Sequence, residues 1–222
     1  SIIFFSCFHK FIKNEKDIFL AIIIAFPYII IVGSMGYIRQ GLALGFILYS
    51  YSYLIKDKKT MFIFLTIIGA SFHVSALLNL IFLGIFLLGN YNLKNIIIII
   101  FTLLLAYIFY KIEIIEINRL QLHYFGDLVY FGSSGAKFRW FINCIPSILF
   151  ILLYKQLSDN NLERKLYLIV SFISILLIVY IDTFSTFVDR IILYLSSIQI
   201  IVFSRLPFIF KHNFKNSFFI KI

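Results

Sequence analysis

The 222-residue chain is too apolar to be a soluble globular domain. Hydrophobic residues make up 62% of it, charged residues only 14%, and its mean hydropathy is +1.00. The chain has 20 Lys and Arg against 10 Asp and Glu, which gives a net charge of +10. None of the charged residues falls in seven stretches: 18–34, 40–55, 61–89, 95–110, 140–154, 166–181 and 191–204. Long uncharged stretches of this kind are typical of an integral membrane protein whose helices cross the bilayer many times.

The excess of basic residues indicates topology rather than a nucleic-acid partner, because Lys and Arg collect in the cytoplasmic loops of membrane proteins. Cys7 and Cys144 both lie in apolar runs, so the sequence offers neither a disulfide framework nor a cysteine metal site. The sequence opens at Ser1 within the apolar run 1–8. We therefore expect a truncated first span, in a fragment that lacks the N-terminal part of a longer protein.

In chain order, the uncharged stretches predict the crossings. A crossing needs roughly 20 residues, which six of the stretches reach once flanking aromatic, Ser and Lys residues are added. The stretch 61–89 is longer and fits either one tilted helix or a hairpin of two short ones. The longest connection, 111–139, lies between the fourth and fifth stretches.

Counting basic residues by loop favours the hairpin. If 61–89 crosses once, 11 Lys and Arg lie on one side and 9 on the other, which defines no orientation. If 61–89 crosses and returns, the split becomes 14 and 6, as the positive-inside rule requires. We therefore predict a hairpin with its apex at residues 71–75, on the external side.

The predicted fold is all-α. It is a polytopic transmembrane helical bundle of about eight crossings plus the truncated first span. We expect a single transmembrane domain over residues 1–222, with 111–139 as one long external loop. Ionisable groups on the external side are the functional candidates, because topology disfavours them there.

Arg39 and His73 are the first two candidates. Small residues (Gly41, Ala43 and Gly45) follow Arg39 at a spacing that lets another helix pack closely. Arg39 is either a snorkelling anchor at a helix end or a ligand for phosphate oxygens. His73 is the only histidine or charged residue in the seven stretches. It is either a hydrogen-bonded structural residue or a general base or phosphate ligand.

The later candidates are more weakly indicated. Asp189 and Arg190 open the last predicted span, with Tyr194 one helical turn further on. The Asp–Arg pair is either local charge balance or part of a site. Arg119 and Arg139 lie in the long loop, where either can fix an anionic ligand at the membrane surface.

Two segments resemble a known family. Tyr37-Ile-Arg39-Gln40-Gly41-Leu-Ala43 is followed by the basic pair Lys58-Lys59 and then by Ala70-Ser-Phe-His-Val-Ser-Ala-Leu77. Together they resemble the EpsG-type family of bacterial polysaccharide polymerases, which includes Wzy-class O-antigen polymerases. The resemblance is good over about residues 35–90 and looser afterwards, where Asp189-Arg190 and Tyr194 resemble the family's late Arg- and Tyr-bearing span.

The resemblance implies a reaction. Such proteins are multi-pass glycosyltransferases of the bacterial inner (plasma) membrane. They move a growing glycan from its undecaprenyl diphosphate carrier onto the next lipid-linked repeat unit. The implied partners are this lipid-linked oligosaccharide, the bilayer and a chain-length regulator protein. We expect metal-independent chemistry with no cofactor.

The resemblance also implies roles for the candidates. Fixed positive charge is needed for the diphosphate leaving group, and a base, either His73 or a carboxylate such as Asp189 or Asp127, is needed for the acceptor hydroxyl. The predicted catalytic residues are Arg39, His73 and Asp189. The predicted substrate-binding residues are Gln40, Ser75, Arg119, Arg139, Arg190 and Tyr194.

Two alternative functions stay open. A transporter or flippase of lipid-linked sugars favours binding at the membrane midplane and internal repeats, whereas the candidate residues here cluster at the external boundary. An O-antigen ligase uses similar substrates but a different acceptor. Only the resemblance separates a ligase from a polymerase.

Overall fold

A computed structural model describes residues 2–87, 104, 133, 135–182 and 185–219. Over these residues every regular element is a helix, which confirms the all-α prediction. Nine are α-helices within that part of the chain: α1 (Ile2–Ile12), α2 (Ile18–Ala25), α3 (Ile38–Leu54), α4 (Lys59–Phe72), α5 (Asn79–Leu87), α6 (Ala136–Leu157), α7 (Asn161–Leu176), α8 (Ser185–Leu195) and α9 (Ser197–Phe219).

Three shorter or irregular helical segments interrupt this series. A π-helix (Phe26–Gly36) continues α2, and Pro27 lies in its first turn. Two 3₁₀ segments, Val74–Leu78 and Leu177–Tyr180, follow α4 and α7. Proline removes a backbone donor and crowds the preceding turn, which accounts for the altered winding after Pro27.

Two helices in the described part of the chain are long and apolar enough to cross a membrane: Ile18–Gly36 and Ala136–Leu157. The pair Ser185–Leu195 and Ser197–Phe210 makes a third candidate span if its 42° bend is counted as one broken crossing. The apolar helices therefore indicate a membrane protein. The count of about eight crossings is not confirmed, and the predicted span 95–110 lies largely outside the described residues.

Helix α3 is central to the packing, and it contacts α4 and α1 most extensively. Gly41 and Gly45, which the sequence predicts to allow close helix packing, lie against the backbone of neighbouring helices. A Cβ on Gly41 would lie 2.5 Å from Ser34 Cα in the π-helix, and one on Gly45 would lie 3.2 Å from Phe4 Cα. Close backbone approach of this kind is the usual role of small residues in helix pairs of the membrane interior.

The bundle has two chemically different ends, one of them marked by a buried ionic cluster. Arg205 of α9 donates to Glu15, between α1 and α2, from Nε and Nη2, both at 2.7 Å. It also donates to Glu163 of α7, from Nη1 and Nη2, both at 2.9 Å. The side chains of Arg205, Glu15 and Glu163 are only 11%, 4% and 12% exposed. The cluster joins three parts of the chain that are far apart in sequence.

The chain reverses direction at the predicted hairpin. Helix α4 follows Ile55, whose carbonyl accepts a hydrogen bond from Asn160 at the end with the ionic cluster. Helix α4 ends at Phe72. The next residue, His73, lies at the opposite end of the bundle, in a cavity described below. Helix α5 then returns, so that Phe86 O accepts a hydrogen bond from Lys165 of α7. This path agrees with the predicted apex at residues 71–75.

Two predicted boundaries are wrong. Arg139 belongs to the first turn of α6 and not to the loop 111–139, since that helix begins at Ala136. Asp189 and Arg190 lie inside α8 and do not open a span, because the helix begins four residues earlier, at Ser185. Charged residues marked these boundaries in the sequence, but a helix near the membrane surface carries charges in its end turns when they find partners.

Candidate active site

A cavity of about 400 Å³ lies at the end of the bundle opposite the ionic cluster. It is built where several helices begin, end or change winding: the π-helix, the start of α3, the break after α4, the start of α6, and α8. Side chains from five separate segments of the sequence therefore meet there. Its lining residues are Tyr28, Val32, Tyr37, Gln40, His73, Ser133, Arg139, Thr186, Asp189, Arg190 and Leu193.

An ion pair forms one wall of this cavity. Arg139 Nη2 donates to Asp189 Oδ2 at 2.7 Å, and Arg139 Nε lies against Asp189 Oδ1. Ser133 Oγ donates to the same Asp189 oxygen at 3.1 Å and accepts from Arg139 Nη2 at 2.6 Å. The two charged side chains are 19% and 20% exposed, so the pair is shielded from solvent. Asp189 therefore serves first to hold Arg139 in place.

His73 enters the cavity from the break between α4 and the following 3₁₀ segment. Its backbone is extended (φ −151°, ψ 117°), and its N–H bonds to Gly69 O at 3.1 Å, which caps the end of α4. Its own carbonyl accepts from Ala76 N at 3.0 Å. The ring is thus held at a fixed turn of the chain.

Two hydroxyl groups lie behind the His73 ring. His73 Nδ1 is 2.6 Å from Ser75 Oγ, and Ser75 Oγ is 2.9 Å from the hydroxyl of Tyr194 in α8. Ser75 and Tyr194 are each 1% exposed, and neither lines the cavity. The sequence prediction that they contact substrate is therefore not supported by their positions.

Gln40 lines the cavity because α3 begins next to the π-helix. Gly41 N bonds to Tyr37 O at 2.6 Å, closing the first turn of α3. The absence of a side chain at Gly41 lets this turn lie against Ser34. Gln40 and Tyr37 are thereby brought to the same opening as His73.

The structure brings together five of the nine predicted site residues in this cavity: Gln40, His73, Arg139, Asp189 and Arg190. Ser75 and Tyr194 lie directly behind them. Arg39 is exposed at the surface and is not part of the cavity lining. Arg119 and Asp127 lie outside the described residues.

Sequence reasoning missed the polar groups that complete the cavity: Tyr28, Tyr37, Ser133 and Thr186. Ser133 is the most informative, since it contacts both members of the ion pair and its N–H donates to Ser185 Oγ at 2.9 Å. None of the four carries a charge, and only Tyr37 lies in a segment that resembles the family. Only their contacts reveal them.

The cavity combines the groups that acid–base chemistry on an anionic substrate requires. It offers an imidazole, two guanidinium groups, a carboxamide and several hydroxyls around one space. Guanidinium groups bind phosphate oxygens well, and an imidazole can accept or donate a proton near neutral pH. Among the described residues, no three His, Cys, Asp or Glu side chains are grouped closely enough to hold a metal ion.

Comparison with known proteins identifies the family of the chain. The model of the EpsG family matches residues 1–222, the whole chain. No curated protein and no solved structure gives a significant match. The helices that can span a membrane and the family together indicate a membrane protein related to polysaccharide biosynthesis. Because the family model covers its entire length, the chain belongs to the EpsG family, which is associated with polysaccharide polymerases.

Proposed function

We propose that the protein is a membrane glycosyltransferase that polymerises undecaprenyl-diphosphate-linked oligosaccharide repeat units into O-antigen or exopolysaccharide on the external face of the inner membrane. The observation that carries this proposal is the meeting of His73, Arg139 and Arg190 in one cavity at one end of an apolar helical bundle. Membership of the EpsG family supports the same reaction class.

In the proposed reaction, a hydroxyl of the acceptor repeat unit attacks the anomeric carbon of the donor glycan. A new glycosidic C–O bond forms while the C–O bond to the carrier diphosphate breaks, and undecaprenyl diphosphate leaves with the electron pair. His73 accepts the hydroxyl proton. Arg190 and Arg139 stabilise the negative charge that develops on the diphosphate.

Other cavity residues take supporting roles. Gln40 has both a donor and an acceptor for sugar hydroxyls. Asp189 orients Arg139 through the ion pair and is a weaker candidate for the base, since Arg139 and Ser133 contact its carboxylate oxygens. Arg39, predicted from the sequence to be catalytic, does not line the cavity, and we assign it instead to contact with the carrier lipid or the growing glycan. Arg119 keeps its predicted role in substrate binding.

The test is a gel of glycan chain lengths from a bacterial strain that expresses the full-length protein and lacks its own copy. We expect His73→Ala to lower polymerisation by about 10²–10⁴-fold, the usual contribution of general acid–base catalysis. Short products then replace the ladder of long chains. The matched control is His9→Ala, an exposed histidine of α1 that is not among the residues lining the cavity.

The same gel separates the alternatives. Single repeat units attached to the lipid A core, with no long chains, support a polymerase. An empty core together with lipid-linked polymer supports a ligase, and repeat units trapped at the cytoplasmic leaflet support a flippase. A normal ladder from His73→Ala at unchanged protein level contradicts the assigned site.

A further inference from the structure

The hydroxyl groups of Ser75 and Tyr194 connect the His73 ring to the interior of the bundle. We propose that these two residues are positioning residues for His73: their hydrogen-bonded chain holds the ring in place and stabilises its protonated form. The proposal rests on the proposed role of His73 as the proton acceptor. It assigns to Ser75 and Tyr194 a function other than contact with substrate.

Burial is the first argument. Each of the two residues is 1% exposed, whereas His73 is half-buried and lines the cavity. A lipid-linked sugar that fills the cavity therefore reaches the ring and not the hydroxyls behind it. Any effect of Ser75 or Tyr194 on the reaction has to pass through His73.

Geometry is the second argument. The contacts of 2.6 Å from His73 Nδ1 to Ser75 Oγ and 2.9 Å from Ser75 Oγ to the Tyr194 hydroxyl are both within hydrogen-bonding distance. They also join two elements, because Ser75 follows α4 and Tyr194 lies in α8. The ring is thus tied to the helix that carries Asp189 and Arg190. The contacts hold it at a fixed position relative to these two residues.

When the His73 ring is protonated, the hydrogen bonds through Ser75 to Tyr194 can run in one direction only. In a protonated imidazole both nitrogens carry hydrogen, so Nδ1 has to donate to Ser75 Oγ, and Ser75 can then donate to the Tyr194 oxygen. Loss of this acceptor penalises the protonated ring. It penalises the neutral ring less, because the neutral ring can place its hydrogen on Nε2 instead. Removing either hydroxyl should therefore make His73 harder to protonate.

Other ionisable groups that line the cavity also affect the protonation of His73. Among the described residues they are Tyr28 of the π-helix, Tyr37 before α3, Arg139 of α6, and Asp189 and Arg190 of α8. None of them is altered when only a hydroxyl behind the ring is removed. A variant of Tyr194 or Ser75 therefore isolates the contribution of the two hydroxyl groups to the protonation of His73.

The test measures the protonation of His73 directly in the full-length protein, purified in lipid nanodiscs. Diethyl pyrocarbonate modifies neutral imidazole, and mass spectrometry of the peptide containing His73 gives the midpoint of modification against pH. We expect Ser75→Ala to lower this midpoint by about one pH unit or more, the effect of a lost hydrogen bond to a charged group. Tyr194→Phe leaves Ser75 Oγ as the acceptor and should lower the midpoint in the same direction by a smaller amount. The exposed His9 serves as internal reference and should not move.

Two controls separate positioning from a general loss of structure. Tyr167→Phe removes the hydroxyl of another fully buried tyrosine, which makes no hydrogen bond within the described part of the chain, and should leave the midpoint unchanged. Ser75→Thr keeps a hydroxyl and should restore the wild-type midpoint. An unchanged midpoint in Tyr194→Phe and Ser75→Ala, or an equal shift in Tyr167→Phe, overturns the proposal.

The measurement is independent of polymerase activity. If wild-type protein makes no polymer but the midpoint shifts as expected, the proposed function fails and the positioning role stands. If His73→Ala abolishes polymerisation but the midpoint does not respond to Tyr194→Phe, the proposed function stands and the positioning role fails.

Discussion

Backbone geometry at His73 and Gly41 determines what the cavity contains. His73 sits in an extended conformation at the end of α4, which turns its side chain away from the helix axis and toward α8. Gly41 acts from the other side, because its lack of a Cβ lets α3 start against the π-helix. His73 supplies a functional group, and Gly41 allows the close packing that brings Gln40 to the same cavity.

At Gly41 we predict a strong steric effect. In Gly41→Ala the new Cβ would meet Ser34 Cα at 2.5 Å and Gly33 O at 2.8 Å, which are backbone atoms that cannot rotate away. Overpacking of this kind costs about 1–3 kcal/mol, occasionally more. Thermal unfolding of the purified protein in mild detergent, followed by circular dichroism, measures the loss of stability.

Gly36→Ala is the matched control for that substitution. Within the described part of the chain, the Cβ added there has Ile31 O at 3.8 Å as its only neighbour within 4 Å, which is an ordinary van der Waals contact. We expect the stability of Gly36→Ala to remain close to wild type. Equal stability of the two variants would contradict the tight contact between α3 and the π-helix.

At the scale of elements, interruptions of the helices surround the cavity, while ionic contacts hold the opposite end together. The π-helix contributes Tyr28 and Val32, the break after α4 contributes His73, and Leu193 of α8 lies just before the bend at Ser196. Interrupted helices leave backbone groups and side chains at angles that a straight helix cannot give. At the other end, Arg205 connects α9 to α7 and to the connection before α2.

We predict that Arg205→Met destabilises the bundle by about 3–5 kcal/mol, because it leaves two buried carboxylates without their cation. Glu15 and Glu163 would then also repel each other. Thermal unfolding in mild detergent, followed by circular dichroism, measures the effect. The control Lys56→Met removes the same charge from an exposed position and should have little effect.

A triple variant tests the electrostatic cause. Glu15→Gln and Glu163→Gln, combined with Arg205→Met, remove all three charges together. Replacement of a whole buried ionic network by neutral groups is much less destabilising than removal of one partner. We expect the triple variant to regain much of the lost stability. If it is as unstable as Arg205→Met alone, packing and not charge accounts for the loss.

The whole molecule is polarised between these two ends. The distribution of Lys and Arg predicts that the end with Arg205 faces the cytoplasm and that the cavity opens on the external side. The structure places the relevant loops together: Ile55 contacts Asn160 at one end, and His73 shares a cavity with Arg139 at the other. Which end faces outward stays a prediction.

Cysteine labelling of intact cells tests that orientation. We expect a small membrane-impermeant maleimide to label Lys137→Cys, near the cavity, in intact cells. It should label Lys58→Cys only after the inner membrane is permeabilised. Both positions are exposed, and the native Cys7 and Cys144 are buried. The reverse pattern would place the cavity on the cytoplasmic side and rule out polymerisation on the external face.

The candidate site was predictable in part, and the reasons differ from residue to residue. His73, Gln40 and Arg190 stand out because polar or charged groups are rare in an apolar chain and belong to segments that resemble the family. Ser133 and Tyr28 could not be found this way, since hydroxyl-bearing residues occur throughout the chain. The sequence does not distinguish Arg205 from the other basic residues, because its partners at positions 15 and 163 are distant in sequence.

By itself the sequence determined that this is an apolar, all-helical protein of the EpsG family whose charges lie outside seven long apolar stretches. Composition and charge placement are enough to predict helices within a membrane, because transfer into the membrane depends on each side chain separately. Tertiary structure alone decided that residues near positions 40, 73, 139 and 189 share one cavity, and that Ser75 and Tyr194 lie behind it. Those relations depend on distances of a few ångströms between separate helices, which no local pattern specifies.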